Sequence, residues 1–511
     1  MRRGAVISQF FRTFRPLIAA LLAVTVGCTV NPRPDYDQAG AKIRRATGQD
    51  SWYRPDDEDA IERRVESLLK EGLTVDRAVQ VALLNNRNLQ AAWMQIGMAR
   101  ADLVQSGLLS NPTLDISMRF PAAGGIPDID ANLAQNIADL WQIPPRKKAA
   151  QHALTQAILD LARQANQLAS STKTAYYQAV GAQQAVEIAE KNLDTAKQSL
   201  DLTTVRQKAG AAAEVDVNLS RAPVLDAELA LRSARLDAAQ LRQDLAKLLG
   251  VATDPAGLVL LDPLPDPPSD TLDAEALVDL ARAERLDLQS AAQAVDTAAA
   301  KLQQQWASIF PNVALGIASE RAAQKAQGGR KYLADTARSS IANGKLTAPD
   351  IQPKSERHHI RNVERNLGIF TGPSLNITIP AFDQNQAQIA KAVYNYREAV
   401  KAYQNADLTL SQDVRTATVR AATAWDIARF YREQSIPLAQ RNLELSLQTY
   451  RAGQATLLQV LELQRFVLDT RSRYVQALRE AAARIADLEQ TIGLPLRDIR
   501  AGVPASQPGN S

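Results

Sequence analysis

Apolar and polar positions follow two different periods along this chain, and the switches between them outline its elements. Leu114, Ile116, Met118 and Phe120 interleave with Thr113, Asp115, Ser117 and Arg119. That period of two gives a strand one apolar face. Val313, Leu315 and Ile317 repeat it, as do Leu375, Ile377 and Ile379 before Pro380. The stretches ~147–208 and ~383–451 are rich in Ala, Gln, Leu and charges, with Pro437 the one internal proline. As helices they extend roughly 90–100 Å at 1.5 Å per residue. Globular helices average three or four turns, so such lengths predict a coiled-coil or tubular assembly. Beyond Gly453, Val467, Tyr474, Leu478, Ala481, Ile485, Leu488 and Ile492 step by 7, 4, 3, 4, 3 and 4. A period near 3.5 predicts a supercoiling seam.

The pattern occurs twice. Leu73, Val79, Ala82, Leu89, Gln90 and Pro112 recur 199 positions later as Leu272, Val278, Ala281, Leu288, Gln289 and Pro311. Further on the offset is 243: Ala209-Gly210 matches Ala452-Gly453, and Gly250 matches Gly493. Each copy reads helix, strand pair, very long helix, turn, long helix, the first over 73–252 and the second over 272–495. The larger offset places inserted material at about 320–366. The copies are joined by a Pro-rich linker, 253–271, whose run Asp262-Pro-Leu-Pro-Asp-Pro-Pro268 is expected to be non-helical. Thr74 and Asp273 stand at matching N-cap positions. Residues 496–511 read as a tail. The fold class is mainly helical with a small β part: long helical hairpins and four strands per chain.

Composition narrows the function. The formal charge of +4 comes from 59 Lys and Arg against 55 Asp and Glu. Four of those bases, Arg2, Arg3, Arg12 and Arg15, lie in residues 1–27, which contain no acid. Without that segment the net charge is zero, so the pI near 9.0 gives no support to nucleic-acid binding. Residues 1–27 have the layout of a secretory signal: an Arg-bearing start, the apolar run Leu17 to Val24, then small residues. The single cysteine, Cys28, follows directly; it excludes a disulfide framework and stands where a lipoprotein signal places its acylated residue. An ordinary signal peptide with an incidental cysteine is the other reading. Residues 28–72 are expected to be an extended linker with one short helix near Ile61–Leu69. Three histidines and one cysteine offer no metal centre, and the adjacent pair His358-His359 is weak evidence of one. No Walker-type loop, GxGxxG after a strand, HExxH or GxSxG is present, so no enzyme constellation and no cofactor are expected.

Four strands cannot close a barrel alone, and an open sheet edge in lipid leaves unpaired N–H and C=O groups. Either several chains share one barrel, with apolar side chains outward and polar ones on the lumen, or a small soluble sheet packs on helices.

The chain resembles the TolC family of outer-membrane efflux proteins, in its lipid-anchored branch, over ~73–495. The motifs that carry the resemblance are Leu73-Thr-Val-Asp-Arg-Ala-Val-Gln-Val-Ala-Leu-Leu-Asn-Asn86, Asn111-Pro112 before the first strand, Ile379-Pro-Ala-Phe-Asp383 and Tyr450-Arg-Ala-Gly-Gln-Ala-Thr-Leu-Leu-Gln-Val-Leu-Glu-Leu-Gln464, with Arg206-Gln-Lys-Ala-Gly210 as first-copy partner of the last. The resemblance implies a homotrimer with a 12-stranded outer-membrane β-barrel above a 12-helix periplasmic tunnel. It implies a passive exit duct of a tripartite efflux or type I secretion system, with a periplasmic adaptor and an inner-membrane pump as partners and outer-membrane lipid around the barrel.

Gly210 and Gly453 are expected at the hairpin tips, where a tight reversal favours a left-handed backbone. By resemblance Tyr450, Gln459 and Glu462 occupy the periplasmic aperture, with Glu214 and Asp216 flanking the neighbouring tip. The family commonly has an arginine at the position of Ala455 and a carboxylate at that of Gln459; both are missing here, leaving one ring of Glu462 carboxylates to attract cations. The insertion 320–366 carries ten Lys and Arg against five Asp and Glu and reads as an external loop, either solvated or contacting lipopolysaccharide phosphates. The competing architecture is a periplasmic coiled-coil adaptor or scaffold lipoprotein, although adaptors normally carry one hairpin and this chain has two.

Overall fold

The structure is a computed structural model that describes residues 30–55, 57–120, 125–126, 128–252, 257–266, 273–321, 324–325, 369–452, 454–495 and 498. The signal segment, Cys28, Gly453, His358-His359 and most of the insertion lie outside the described residues. The helices are α1 Arg33–Thr47, α2 Glu58–Lys70, α3 Val75–Asn85, α4 Arg87–Ser106, α5 Asp139–Lys208, α6 Glu214–Leu249, α7 Ala274–Glu284, α8 Leu286–Ala307, α9 Gln386–Phe430, α10 Ile436–Arg451 and α11 Leu457–Ile492. The strands are β1 Thr113–Arg119, β2 Gly125–Ile126, β3 Asp128–Asn136, β4 Val313–Arg321, β5 Gln324–Lys325 and β6 Ile369–Ile377. Among the described residues no helix is long and apolar enough to cross a membrane.

The chain divides into two compact units. The unit of residues 103–150 and 297–396 is built on an antiparallel sheet in the order β1-β3-β4-β6. Its register puts Leu114 opposite Leu133, Leu133 opposite Ile317 and Leu315 opposite Leu375. Paired residues share a face, so these side chains form one apolar surface, and all of them are exposed. The other face carries Asp115, Ser117, Arg119, Asp130, Asn132, Glu320 and Ser374. Ser117 donates to Asp130 at 3.2 Å and Ser374 to Asn132 at 2.9 Å. The alternation predicts this two-faced sheet well. Phe120 and Ile379 lie just beyond the strand ends, and the opening residues of the insertion extend β4 and form β5, which pairs with β2.

The unit of residues 1–102, 151–296 and 397–511 holds the core. Leu73, Val81, Tyr176, Leu245, Leu249, Leu277, Leu410, Val414, Leu478, Leu488 and Ile492 are buried together. The predicted seam of α11 is thus its buried stripe. At the centre Leu73 forms a parallel bridge with Leu260 of the inter-repeat linker. Tyr176 ties the two: its hydroxyl donates to the Leu73 carbonyl at 2.8 Å and accepts from the Asp262 N–H at 2.9 Å. The Asp262 carboxylate accepts from the Val75 N–H at 2.8 Å, and residues 262–266, the described part of the Pro-rich run, are non-helical as expected. Thr74 and Asp273 both cap, accepting from Arg77 and Glu275 backbone N–H groups.

Three expectations need correction. The first helix of each copy is two helices, broken at Asn86 and Arg285. The periodicity survives because the break is one residue. Asn86 is extended, with ψ 115, and its carboxamide oxygen restarts the helix by accepting from Asn88 and Leu89 N–H groups. Residues 33–47, read as extended because of Pro32 and Pro34, form α1: proline is tolerated in a first turn, where N–H groups have no helical partner anyway. Its Tyr36 packs edge-on to the buried Trp93 of α4 at 5.7 Å. The short helix near Ile61–Leu69 is α2. The long helices also begin or run differently. Residues 139–208 form 70 continuous helical residues, about 105 Å, starting before Pro144 and Pro145. The second long segment passes through a π turn at Tyr431–Ser435. Pro437 follows within two residues; it lacks an N–H and crowds the carbonyl of residue 433, which the wider turn relieves.

Candidate functional site

The first hairpin tip joins α5 to α6. Gly210 adopts φ +74, as the turn argument requires. The Gly210 N–H donates to Gln207 O at 2.9 Å and the Ala211 N–H to Arg206 O at 2.8 Å, closing the last carbonyls of α5. Glu214 opens α6 and is exposed. Asp216, also exposed, spends one oxygen on the Ala213 N–H at 2.9 Å. It therefore caps the helix, and its negative charge sits favourably at the helix N-terminus.

The second tip joins α10 to α11. Tyr450 lies in the last turn of α10, 42% exposed. Thr456 caps α11 by accepting from the Gln459 N–H at 3.4 Å, so the Gln459 side chain is left exposed in the first turn. Glu462, a turn later, is exposed and borders a groove of about 610 Å³ formed by α5, α6 and α11. The α6 residues facing that groove are Ala230 and Ala234. Ala230 lies fourteen residues beyond Asp216, about 21 Å along a helix. The structure brings Tyr450, Gln459 and Glu462 onto one tip and leaves Glu214 and Asp216 on the other, separate from Glu462.

A second groove of about 880 Å³ runs between α5, α10 and α11. Glu187, Glu190, Asp194 and Glu444 line it against Lys191 and Arg471. Sequence reasoning missed it, although Glu187, Lys191, Asp194 and Gln198 recur at steps of three and four, a polar stripe on one helix face. Nearer the core, α5 and α11 are joined by Lys173 and Glu489 at 2.6 Å, with side chains only 16% and 13% exposed. Further along, Arg479 crosses Gly181, where a Cβ would overlap its side chain. Burial holds the Arg479 guanidinium below its usual range, and Asp237 opposes this. On the polar face of the sheet, Asp128, Asp130 and Glu320 gather within 4.8 Å of one another. Arg119 reaches two of them, at 3.9 and 3.5 Å.

The duplication is visible in contacts as well as in residues. Gly250 ends α6 at φ +66 against the Asn85 carbonyl, and Gly493 ends α11 at φ +86 against Glu284. Those pairs differ by the same offsets of 199 and 243 seen in the sequence. Two copies of a strand pair and a long hairpin, in this order, match the model of a family described as "Outer membrane efflux protein" over residues 78–251 and 277–494. The chain belongs to the outer membrane efflux protein family. It is 24% identical over 445 residues to the pyoverdine export outer membrane protein OpmQ of Pseudomonas aeruginosa, covering 82% of this chain and 84% of that one. It is 26% identical over 509 residues to protein CyaE of Bordetella pertussis, covering 91% and 92%. The CmeC outer membrane channel of Campylobacter jejuni shares the fold with a TM-score of 0.62 at 17% identity, covering 84% of this chain and 89% of that one. This outer membrane efflux protein thus works in the outer membrane as an export channel, with a helical tunnel on the periplasmic side and strands contributed to the membrane part.

Proposed function

We propose that three copies of this chain close one 12-stranded barrel and one helical tunnel, forming the passive exit duct for an inner-membrane pump joined through a periplasmic adaptor. The observation that carries the reading is the sheet: four strands, one apolar face and, among the described residues, two outer strands, β1 and β6, with no neighbour on one side. In lipid each unpaired backbone group costs several kcal/mol, and neighbouring copies supply the missing ladders. Tyr450, Gln459 and Glu462 line the aperture at the second hairpin tip, and Glu214 and Asp216 mark the first tip near the adaptor. Glu462 carboxylates from three chains form a ring that attracts cations. Cys28 carries acyl chains that hold the N-terminus at the membrane, and the polar α5 groove suits a helical partner better than an apolar cargo. Choice of cargo rests with the pump.

Heat-modified migration of an SDS-resistant oligomer, together with stepwise conductance in planar bilayers, tests the duct. A monomer without conductance would remove it and leave the coiled-coil adaptor. Cys28→Ala is expected to abolish palmitate labelling and lower membrane anchoring of the unassembled chain, while the oligomer still forms and resists carbonate washing.

A further inference from the structure

We propose that Lys147, Lys148, Lys301 and Lys391 bind the phosphate groups of anionic phospholipid in the periplasmic leaflet, acting with a collar of apolar side chains at the strand–helix junctions. This rests on the barrel reading above. Where β3 passes into α5, α8 into β4 and β6 into α9, Leu140, Trp141, Trp306, Phe310, Ile379 and Phe382 are exposed, Phe382 by 96%. They lie in or beside the segments that join the strands to the helices. Two of these sites are fixed by hydrogen bonds: the Trp141 indole N–H donates to Ala307 O at 3.2 Å, and Gln142 donates to Phe310 O at 2.9 Å. Trp and Phe so placed at a barrel rim suit the boundary between acyl chains and headgroups.

The lysines stand one headgroup layer further along. Lys147 and Lys148 follow Leu140 and Trp141 by seven residues, which is two turns on the same helix face and about 10 Å of rise. Lys301 precedes Trp306 by five residues, about 7.5 Å. Lys391 follows Phe382 by nine and is the second-copy counterpart of Lys148 at the offset of 243. All four are exposed, and among the described residues none has a hydrogen-bond or ion-pair partner. Arg146 beside them differs: it is engaged by the carbonyls of Ser106 and Leu108, both at 2.9 Å, and by Asp139 at 3.8 Å. Asp139 is buried and also holds Ser110, so Asp383 is the one exposed carboxylate on residues 139–150, 297–310 and 378–396. Apolar rings with unpaired ammonium groups a headgroup's thickness away match an anionic interface, because the lysine stems lie along apolar surface while their heads reach phosphate. The same lysine in both copies spreads the charge around the barrel.

The test uses the full-length oligomer reconstituted with phosphatidylethanolamine and phosphatidylglycerol, with retained lipid counted by native mass spectrometry. Wild type is expected to retain phosphatidylglycerol about threefold or more above its bulk share. K147Q/K148Q/K301Q/K391Q is expected to lose that enrichment, and the corresponding fourfold Lys→Arg variant to keep it. Bulk-like retention by wild type, or an unchanged enrichment in the Gln variant, overturns the proposal. If the Gln variant fails to assemble, wild type at rising salt decides: enrichment must fall as screening grows. Oligomers that conduct but show no lipid preference refute the belt alone, whereas absence of both oligomer and conductance refutes the barrel beneath it.

Discussion

Around Tyr176 the backbone groups that leave regular structure find partners within the chain: the Leu73 carbonyl, the Asp262 N–H and the Val75 N–H are all satisfied by named side chains. Asn85 and Asn86 close the final carbonyls of α6 in the same way, with Asn85 at 3.0 and 2.9 Å and Asn86 at 3.0 Å. Apolar side chains from both copies meet there and leave the solvent. The sheet behaves oppositely. Its apolar residues stay exposed on one face, Ile116 by 64% and Ile317 by 59%, and among the described residues β1 and β6 each have a strand neighbour on one side alone. One region is finished within a single chain, and the other, on the proposed reading, is completed by lipid and further copies. Substitutions should therefore act on folding in the first region and on insertion and assembly in the second.

The sharpest break of that comparison is a charge on the lipid-facing side of the sheet. Ile317→Lys should cost about 2–4 kcal/mol per chain at mid-strand, abolishing the heat-modified oligomer while the helical unit keeps its circular dichroism. Ala318→Lys, on the opposite face, should leave the oligomer in place. Within the helical unit, Lys173→Met removes the ammonium from its ion pair with the nearly buried Glu489 and should cost up to about 3–5 kcal/mol, read as a lower thermal midpoint of helix loss. Glu462→Gln should be almost silent for stability and should weaken cation preference, measured as a smaller reversal potential under a salt gradient.

Helix α1 supplies a subtler contrast, because its two anchors respond to acid with opposite signs. Burial raises the Asp35 pKa, with Arg100 working against it. The folded state then binds the proton more tightly than the unfolded state, so this contribution strengthens as pH falls through the raised value. Glu284 is held low by its hydrogen bond from Arg45, donated at 2.6 Å. Its contribution is present above the unfolded carboxylate pKa and disappears as pH falls through the folded one. Hydrogen exchange of residues 33–47 between pH 4 and 7 should show this. Asp35→Asn should improve protection most at neutral pH, and Glu284→Gln should reduce it most there. Equal slopes for both variants would refute the assignment.

Much of the fold was legible because it rests on local periodicity. Leu114 to Phe120 announced a two-faced strand, Val467 to Ile492 a buried seam, Thr74 and Asp273 their caps, and Gly210 its left-handed turn. The misses share a cause. A one-residue break at Asn86 hardly disturbs a helical period, and Pro34 reads alike in a linker and in a first helical turn. The π turn answers the backbone demand of Pro437 through hydrogen bonds that leave no mark on composition. For the candidate site, the resemblance put Tyr450, Gln459 and Glu462 on one hairpin tip and Glu214 and Asp216 on the other, which is where the chain carries them, whereas the groove that Glu462 shares with α5 and α6 left no local mark.

The amino-acid sequence by itself determined that this protein is a doubled hairpin-and-strands chain, along with the presence of its long helices and the apolar side of its strands, since these depend on residues a few positions apart. Only the tertiary structure decided that Glu462 faces Ala185 and Ala230, that β3 pairs across the copies with β4, and that an acidic groove lies open beside α5. Those relations join residues hundreds of positions apart, and their free energy comes from packing and register that no local period encodes.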